Sequence, residues 1–416
     1  MFPSTPKTYL PALLLSLTAC LVLAQESSSG IQSVEKLIEG LVVDSQKHAK
    51  PRAERPKRDA IRLAESCADL LADDVPAYTT RLGDVVAANL KAERLEDALL
   101  LSEKMRQLGD ESGFTRIMLA HLHAGRREET AALIPGIENN LPRLSLVRRR
   151  HAERDLAITK GLLAEKTARL EDLKNLEPDI RLEVEAEWLR AGKLAEPPAT
   201  LEAVKARISK EAAGPLASAH FAIAALEKAL PTLPEDQELP FIDFVGPLCA
   251  ETHHPGAHHA MLDLAKALWQ KERLRPQARK AMTRYLGQSA AYPEQAEWKG
   301  PYFADAVPVL LEWGEKDLAT KAARDARDKL EKVFAADVSH ALVAAARAAH
   351  LVGMTAERDQ ALVDAVAAAR RYPHPRISAD AAVECCLLHA ALDLPLSDPV
   401  YQQIAAILHL DEVVSQ

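Results

Sequence analysis

Apolar residues recur three and four positions apart along almost the whole of this chain, and that spacing admits one class of structure. Side chains at i, i+3, i+4 and i+7 share one face of an α-helix, and no run of alternating β-branched residues bounded by hairpin turns competes with the pattern. The expected class is all-α. Helices are expected over Ser33–Val43, Pro56–Leu71, Tyr78–Lys91, Leu95–Gln107, Phe114–Ala124 and Arg127–Ile134, with one or two more inside Arg148–Leu173. Pro178–Ala191, Pro198–Lys210 and Pro215–Leu230 continue the series, each with proline near the start, where the missing N–H costs nothing. The remainder run from Phe241–Cys249 and His258–Lys271 to Ala379–Leu392 and Asp398–His409, for about twenty helices in all. LPTLPEDQELP, Leu230–Pro240, interrupts the period with three prolines and an acidic cluster, so a linker is expected at 231–240 between helical regions 25–230 and 241–416.

What fills the interior follows from composition. Of 416 residues, 48% are hydrophobic but only 4% aromatic, so closely approaching helices with alanine at their contacts must build the core. The formal charge is −8, which supplies no long-range positive field for nucleic acid or an anionic membrane.

The first residues bear on the compartment. Lys7, an apolar run from Leu10 to Leu23, and small residues before Gln25 form the pattern of a secretory signal peptide spanning 1–24. The run is shorter than the roughly 20 residues a bilayer-spanning helix needs, and no other span is long and apolar enough. A second reading stands beside it: Leu17-Thr18-Ala19-Cys20 is similar to the lipobox of bacterial lipoproteins, which would place a lipid anchor at Cys20. Beyond that segment four cysteines remain, Cys67, Cys249, Cys385 and Cys386, too few for a disulfide scaffold and expected as small buried hydrophobes.

Motifs for chemistry are sparse. ETHHPGAHHA, Glu251–Ala260, crowds four histidines together, and His254 with His258 has the i, i+4 spacing of a helical metal site. Pro255 opposes it, because the residue before proline is pushed out of the α region. The stretch is therefore expected to start a helix rather than hold a metal, and no cofactor or metal is expected. The sequence holds no phosphate-cradling glycine loop, HExxH, CxxC or nucleophile elbow.

Five stretches share a plan: NLKAERLEDALLLSEKM (Asn89–Met105), HLHAGRREETAALIPGI (His121–Ile137), LWQKERLRPQARKAMTRYL (Leu268–Leu286), LLEWGEKDLATKAARDA (Leu310–Ala326) and HLVGMTAERDQALVDAV (His350–Val366). Each is a helix, a tight turn rich in Gly, Arg, Lys or Glu, and a second helix with an early alanine. This resembles a degenerate tetratricopeptide (TPR-like) repeat, in which that alanine packs against the first helix. The equivalent positions would be Ala98, Ala132, Ala278, Ala319 and Ala361, and the proline that follows the second helix is clear only at Pro373.

The resemblance implies an α-solenoid of antiparallel helix pairs, with a compact bundle or closed toroid as the other architectures, and a ligand groove lined by first helices. It would aim Phe114, Ile117, His121, Asp263, Gln270, Lys271 and His350 there. The expected function is an exported, periplasmic or secreted, non-catalytic scaffold or adaptor for a protein or peptide partner. The alternatives are an all-helical metal-dependent enzyme centred on His253–His259 and an envelope lipoprotein in assembly. Mass spectrometry of the exported chain should find Gln25 at the N-terminus; incorporation of labelled fatty acid at Cys20 would establish the lipidated form instead.

Overall fold

The computed structural model describes residues 59–198, 200–250, 255–291, 296–328, 338–371 and 375–408. These form eighteen α-helices and a few 3-10 turns, with no sheet among the described residues beyond one isolated bridge between Ala168 and Leu194. In chain order the helices are α1 (Ala60–Asp69), α2 (Val75–Lys91), α3 (Leu95–Gln107), α4 (Ser112–His123), α5 (Arg127–Asn140), α6 (Leu146–Leu163), α7 (Pro178–Arg190), α8 (Leu201–Glu211) and α9 (Pro215–Ala229). The second half holds α10 (Glu235–Ala250), α11 (Pro255–Trp269), α12 (Arg275–Ala291), α13 (Ala296–Glu312), α14 (Lys316–Asp328), α15 (Val338–Leu351), α16 (Thr355–Arg371), α17 (Pro375–Ala391) and α18 (Asp398–Ile407). The expected Ser33–Val43 helix lies outside the described residues.

Two layers arise from the order of contacts. An inner series, α2, α4, α6, α7, α9, α11, α13, α15 and α17, packs each helix on the next, while the intervening helices cover the seams from outside. Between α6 and α7 the outer place is taken by the connector 164–177, whose Ala168 N–H donates to Lys193 O at 2.7 Å. The array then closes on itself. α17 packs against α2, and α1 fills the outer position beside α17 that the second helix of a last pair would occupy. The solenoid of helix pairs is therefore a ring.

Six of the nine inner helices end in a common way. α2, α4, α7, α13, α15 and α17 are followed by a left-handed residue, respectively Glu93, Gly125, Gly192, Gly314, Gly353 and Asp393. The next residue's N–H reaches back five positions to a carbonyl of the helix, as in Arg94 to Asn89, Arg126 to His121 and Glu315 to Leu310, at 2.8 to 2.9 Å. This Schellman closure satisfies carbonyls that would otherwise be orphaned and turns the chain outward at a fixed angle. Four residues after the cap, a small side chain meets the preceding helix: Ala98 and Ala319 are fully buried. In α5 that place belongs to Thr130, also fully buried, while Ala132 is exposed, so the expected equivalence of Ala132 is corrected by two residues.

Two further expectations are revised. The segment 231–240 is not a linker, since α10 begins at Glu235 and runs through Pro240 and Pro247. Both prolines lie on its exposed side, as does Pro135 in α5, where the carbonyls left without an N–H partner face water. Nor do 25–230 and 241–416 pack separately: one core runs from Ala168 to Ala348 across that segment, and the other joins Ile61–Leu156 to Leu342–Ile404. The second core joins the first and last described helices.

Glycine matters where the turn demands positive φ. Gly353 has φ 79° and Asp393 has φ 51°, so Gly353→Ala should destabilise the protein by about 1 kcal/mol while Asp393→Gly should stabilise it by a similar amount. Denaturant melts of the two variants check both signs.

Candidate functional site on the inner face of the ring

Inner helices such as α11, α15 and α17 leave one narrow side unburied along most of their length; α6 is the exception, with its first turns from Leu146 to His151 largely exposed. Between Ser378 and His389 of α17 the unburied positions are Asp380, Glu384 and Leu387; in α15 they include His340, Ala344 and Arg347; in α11 His259, Asp263 and Lys266. Steps of three and four residues define a single stripe per helix. With inner neighbours on both sides and outer helices behind, that stripe faces the centre of the ring. Nine helices spaced 8 to 10 Å apart would make a round ring with an axis circle of about 80 Å, leaving an opening of about 15 Å between side chains.

These stripes carry charge of both signs, and polar contacts cross many of the seams. Asp84 of α2 meets Arg116 of α4 at 3.4 Å, Arg154 of α6 meets Glu183 of α7 at 3.3 Å, and Arg190 of α7 meets Glu227 of α9 at 3.1 Å. Farther on, Asp305 of α13 lies between His259 of α11, at 4.0 Å, and Arg347 of α15, at 3.3 Å. Burial pushes the carboxyls of Glu227 and Asp305 above their ordinary values against the pull of these cations, and pushes the His220 imidazole down toward its neutral form.

The densest cluster sits where the ring closes. His340 of α15 has both ring nitrogens engaged by α17, Nδ1 with Glu384 at 2.5 Å and Nε2 with Asp380 at 3.1 Å. Arg81 of α2 approaches the same carboxylates from the other side, at 2.7 Å from Asp380 Oδ2 and 2.8 Å from Glu384, and also meets Asp84 at 3.2 Å. An imidazole flanked by two carboxylates is held doubly protonated. Burial opposes its charge, but hydrogen bonds to Asp380 and Glu384 outweigh burial and lift its pKa to about 10. Burial likewise works against the Asp380 and Glu384 anions, and the two cations overcome it and hold both carboxyls below their ordinary values. A second ion pair, Arg376 of α17 with Asp74 at the start of α2 at 2.7 Å, lies across the same seam.

As donors, one imidazole and two carboxylates with ligand atoms within 4.8 Å of one another suit a divalent transition metal. Binding one would require His340 to lose a proton and Arg81 to leave both carboxylates. The geometry is that of an ionic clasp joining α15, α17 and α2.

The residues expected to line a groove are scattered. Phe114, Ile117 and His121 of α4 are buried, Phe114 beneath the Arg106 guanidinium 3.8 Å from its ring centre, so they are withdrawn as ligand contacts: they point into the core behind the stripe. Asp263 is on the inner stripe and Gln270 is exposed beyond the end of α11. Lys271 is tied to Glu238 and to the Leu230 carbonyl, and His350 meets Arg358 of α16 at 3.2 Å. Helix α11 begins at Pro255, so the histidine stretch opens a helix; Glu251, His253 and His254 lie outside the described residues. His259 contacts Tyr302 edge-on, ring centres 6.0 Å apart.

Sequence reasoning passed over Arg81, His340, Asp380 and Glu384. Asp380 and Glu384 stand at i, i+4 as isolated charges in an alanine-rich helix, which is a legible signal. Their partners are not, because Arg81 is 299 residues from Asp380.

The clasp sets a pH dependence. His340 is raised above its unfolded value, so its contribution is complete below about pH 6.5 and is lost as pH rises through about 10. Asp380 is lowered, so its contribution is complete above about pH 4 and falls away in acid. Thermal melts from pH 6 to 10 should show a decline in wild type that His340→Gln flattens, and Arg81→Ala should cost about 3 kcal/mol at neutral pH by leaving two half-buried carboxylates underpaired.

No family model matches the sequence, and no curated protein matches it. Among solved structures, the chain is similar to one described as a circular tandem repeat protein with novel repeat topology and enhanced subunit contact surfaces, at 13% identity, covering 97% of this chain and 95% of that one, with a TM-score of 0.23.

Proposed function

We propose that this protein is an exported, non-catalytic adaptor that holds a segment of a protein or peptide partner against the inner face of its ring. The observation that carries the reading is the set of single unburied stripes, bearing Arg116, Lys266, Arg347, Asp263 and Asp305 among others, that converge on the ring's centre. Mixed charge on a half-buried surface favours a polar, extended or helical segment, since an α-helix with side chains is about 10 to 12 Å across. Binding energy spread over many stripes also accounts for the sparseness of motifs in the sequence. The tetratricopeptide-like identity of the helix pairs belongs to this proposal, as does export, which rests on the apolar segment Leu10–Leu23. No helix among the described residues is long and apolar enough to cross a membrane. The lipidated form at Cys20 would place the same ring at a membrane surface.

The clasp is read as structural, since its hydrogen bonds and opposite charges hold His340 and Asp380 in their charged forms. A photoreactive amino acid at Arg347 on the inner face should cross-link a partner in the native envelope fraction, and one at Arg324 on an outer helix should not. The adducts should fade as salt rises from low to about 0.5 M, as expected for exposed charges. Adducts at Arg324 alone would contradict the reading, and a large melting shift with stoichiometric zinc would favour a metal enzyme.

A further inference from the structure

The groove between the outer helices α1 and α3, floored by α2, is spanned at both ends by ion pairs. Asp59, which caps α1, meets Arg94 at 2.8 Å, and at the other end of the helix Asp69 meets Lys104 at 2.8 Å while accepting from the Tyr78 hydroxyl at 2.6 Å. Between these pairs lies a cavity of about 340 Å³ bordered by Glu65 of α1 and Asp97 of α3. Neither carboxylate has an ion pair or hydrogen bond among the described residues, and Arg62 beside them turns to Asp59 at 3.9 Å. Burial pushes the Glu65 carboxyl above its ordinary value, and the charges of Asp69 and Asp97 add to that push against the pull of Lys104 and Arg62. On the cavity floor stands Asn89 of α2, 2% exposed. Its Nδ2 donates to the Val85 carbonyl at 3.1 Å, which leaves Oδ1 as an acceptor without a donor. An open buried acceptor beside two uncompensated carboxylates calls for a cation that carries N–H groups.

We propose that this cavity binds a primary alkylammonium group, its nitrogen held by the carboxylates of Glu65 and Asp97 and by Asn89 Oδ1. An ammonium offers three donors, one for each of these acceptors. A metal ion is the poorer fit: among the described residues the group of metal-type ligands that converges within 4.8 Å is His340, Asp380 and Glu384, so Glu65, Asp69 and Asp97 stand farther apart than a coordination shell allows. Ile61 and the methylenes of Arg62 border the same space and suit the alkyl stem behind the nitrogen. The bound cation would replace like-charge crowding with paired charge, and would tie α1 to α3 between the two ion pairs that already join them. Such a group arrives either on a free aliphatic amine or on a lysine side chain of a second protein. The site lies between outer helices, away from the inner stripes, so its failure would leave the inner-face reading standing, and the converse holds too.

The test titrates the full chain with 1,4-diaminobutane, with N-acetyl-lysine methylamide and with tetramethylammonium, read by calorimetry and by the side-chain amide resonance of Asn89. The two amines should bind at one site per chain and shift that resonance, and tetramethylammonium, which has no N–H, should do neither. Glu65→Gln and Asp97→Asn should each weaken amine binding about tenfold, the loss expected for one charge-assisted hydrogen bond. Glu128→Gln, at an exposed position of α5, should change nothing. The Asn89 shift is read in the wild type and so does not depend on the variants folding. Tighter binding of the diamine assigns the site to free amines, tighter binding of the lysine analogue assigns it to a protein partner, and either supports the cavity. No binding by either amine, or binding that leaves the Asn89 resonance unmoved or survives both substitutions, overturns the inference.

Discussion

An array of helix pairs that stops leaves an apolar end face at each terminus, and something must cover both. Here the two ends cover each other. Ile61, Ala64, Cys67, Ala68 and Leu71 of the first described segment enter the same core as Ala379, Ala382, Val383 and Cys386, so burial at this seam replaces two caps with one contact. Deletion of buried groups of this size costs on the order of 1 kcal/mol per methylene, which puts the seam's worth at several kcal/mol, a large fraction of a domain's net stability. Around that apolar seam stand the paired charges of Arg81, His340, Asp380 and Glu384, which specify which helices meet.

Once the array closes, the rest of the molecule is constrained. Every inner helix acquires a neighbour on both sides, so little more than one stripe stays unburied on helices such as α11, α15 and α17, and charged residues occupy much of it, whereas α6 keeps its first turns exposed. The inward concentration of Arg, Lys, His, Asp and Glu is therefore a consequence of topology before it is a consequence of ligand binding. What ligand binding would use is the arrangement that closure leaves: opposite charges displayed at regular spacing around an enclosed space. The repeated left-handed turn after the inner helices, with its backward hydrogen bond, keeps that spacing regular even though the sequence between turns varies.

The helices were legible because each needs only local information. Leu95–Gln107 is recovered to the residue, and Pro178, Pro215 and Asp398 begin helices as their caps imply. Errors came where a local rule met a solvent-facing exception: Pro135 and Pro240 read as breaks but sit on exposed helix faces that tolerate the lost hydrogen bond. The small-residue position of α5 was hidden because Thr130 fills it, its hydroxyl donating to the Arg126 carbonyl at 2.6 Å. Closure itself was invisible, since Arg81 and Asp380 share no local pattern. The groove candidates failed in part for the same reason: an open array would leave the first-helix faces of Phe114 and Ile117 free, whereas the packed layers bury them.

Closure is the claim on which the inner face and the clasp both depend, and a distance between α1 and α17 measures it. Spin labels at Ser66, exposed on α1, and Ala391, exposed at the end of α17, can be read by pulsed electron resonance with the buried native thiols unlabelled. A closed ring places helices α1 and α17 side by side and gives a single distribution below about 35 Å, whereas an open array with its nine inner helices at 8 to 10 Å each separates them by about 60 Å or more. A long or broad distribution in the native protein would contradict the ring.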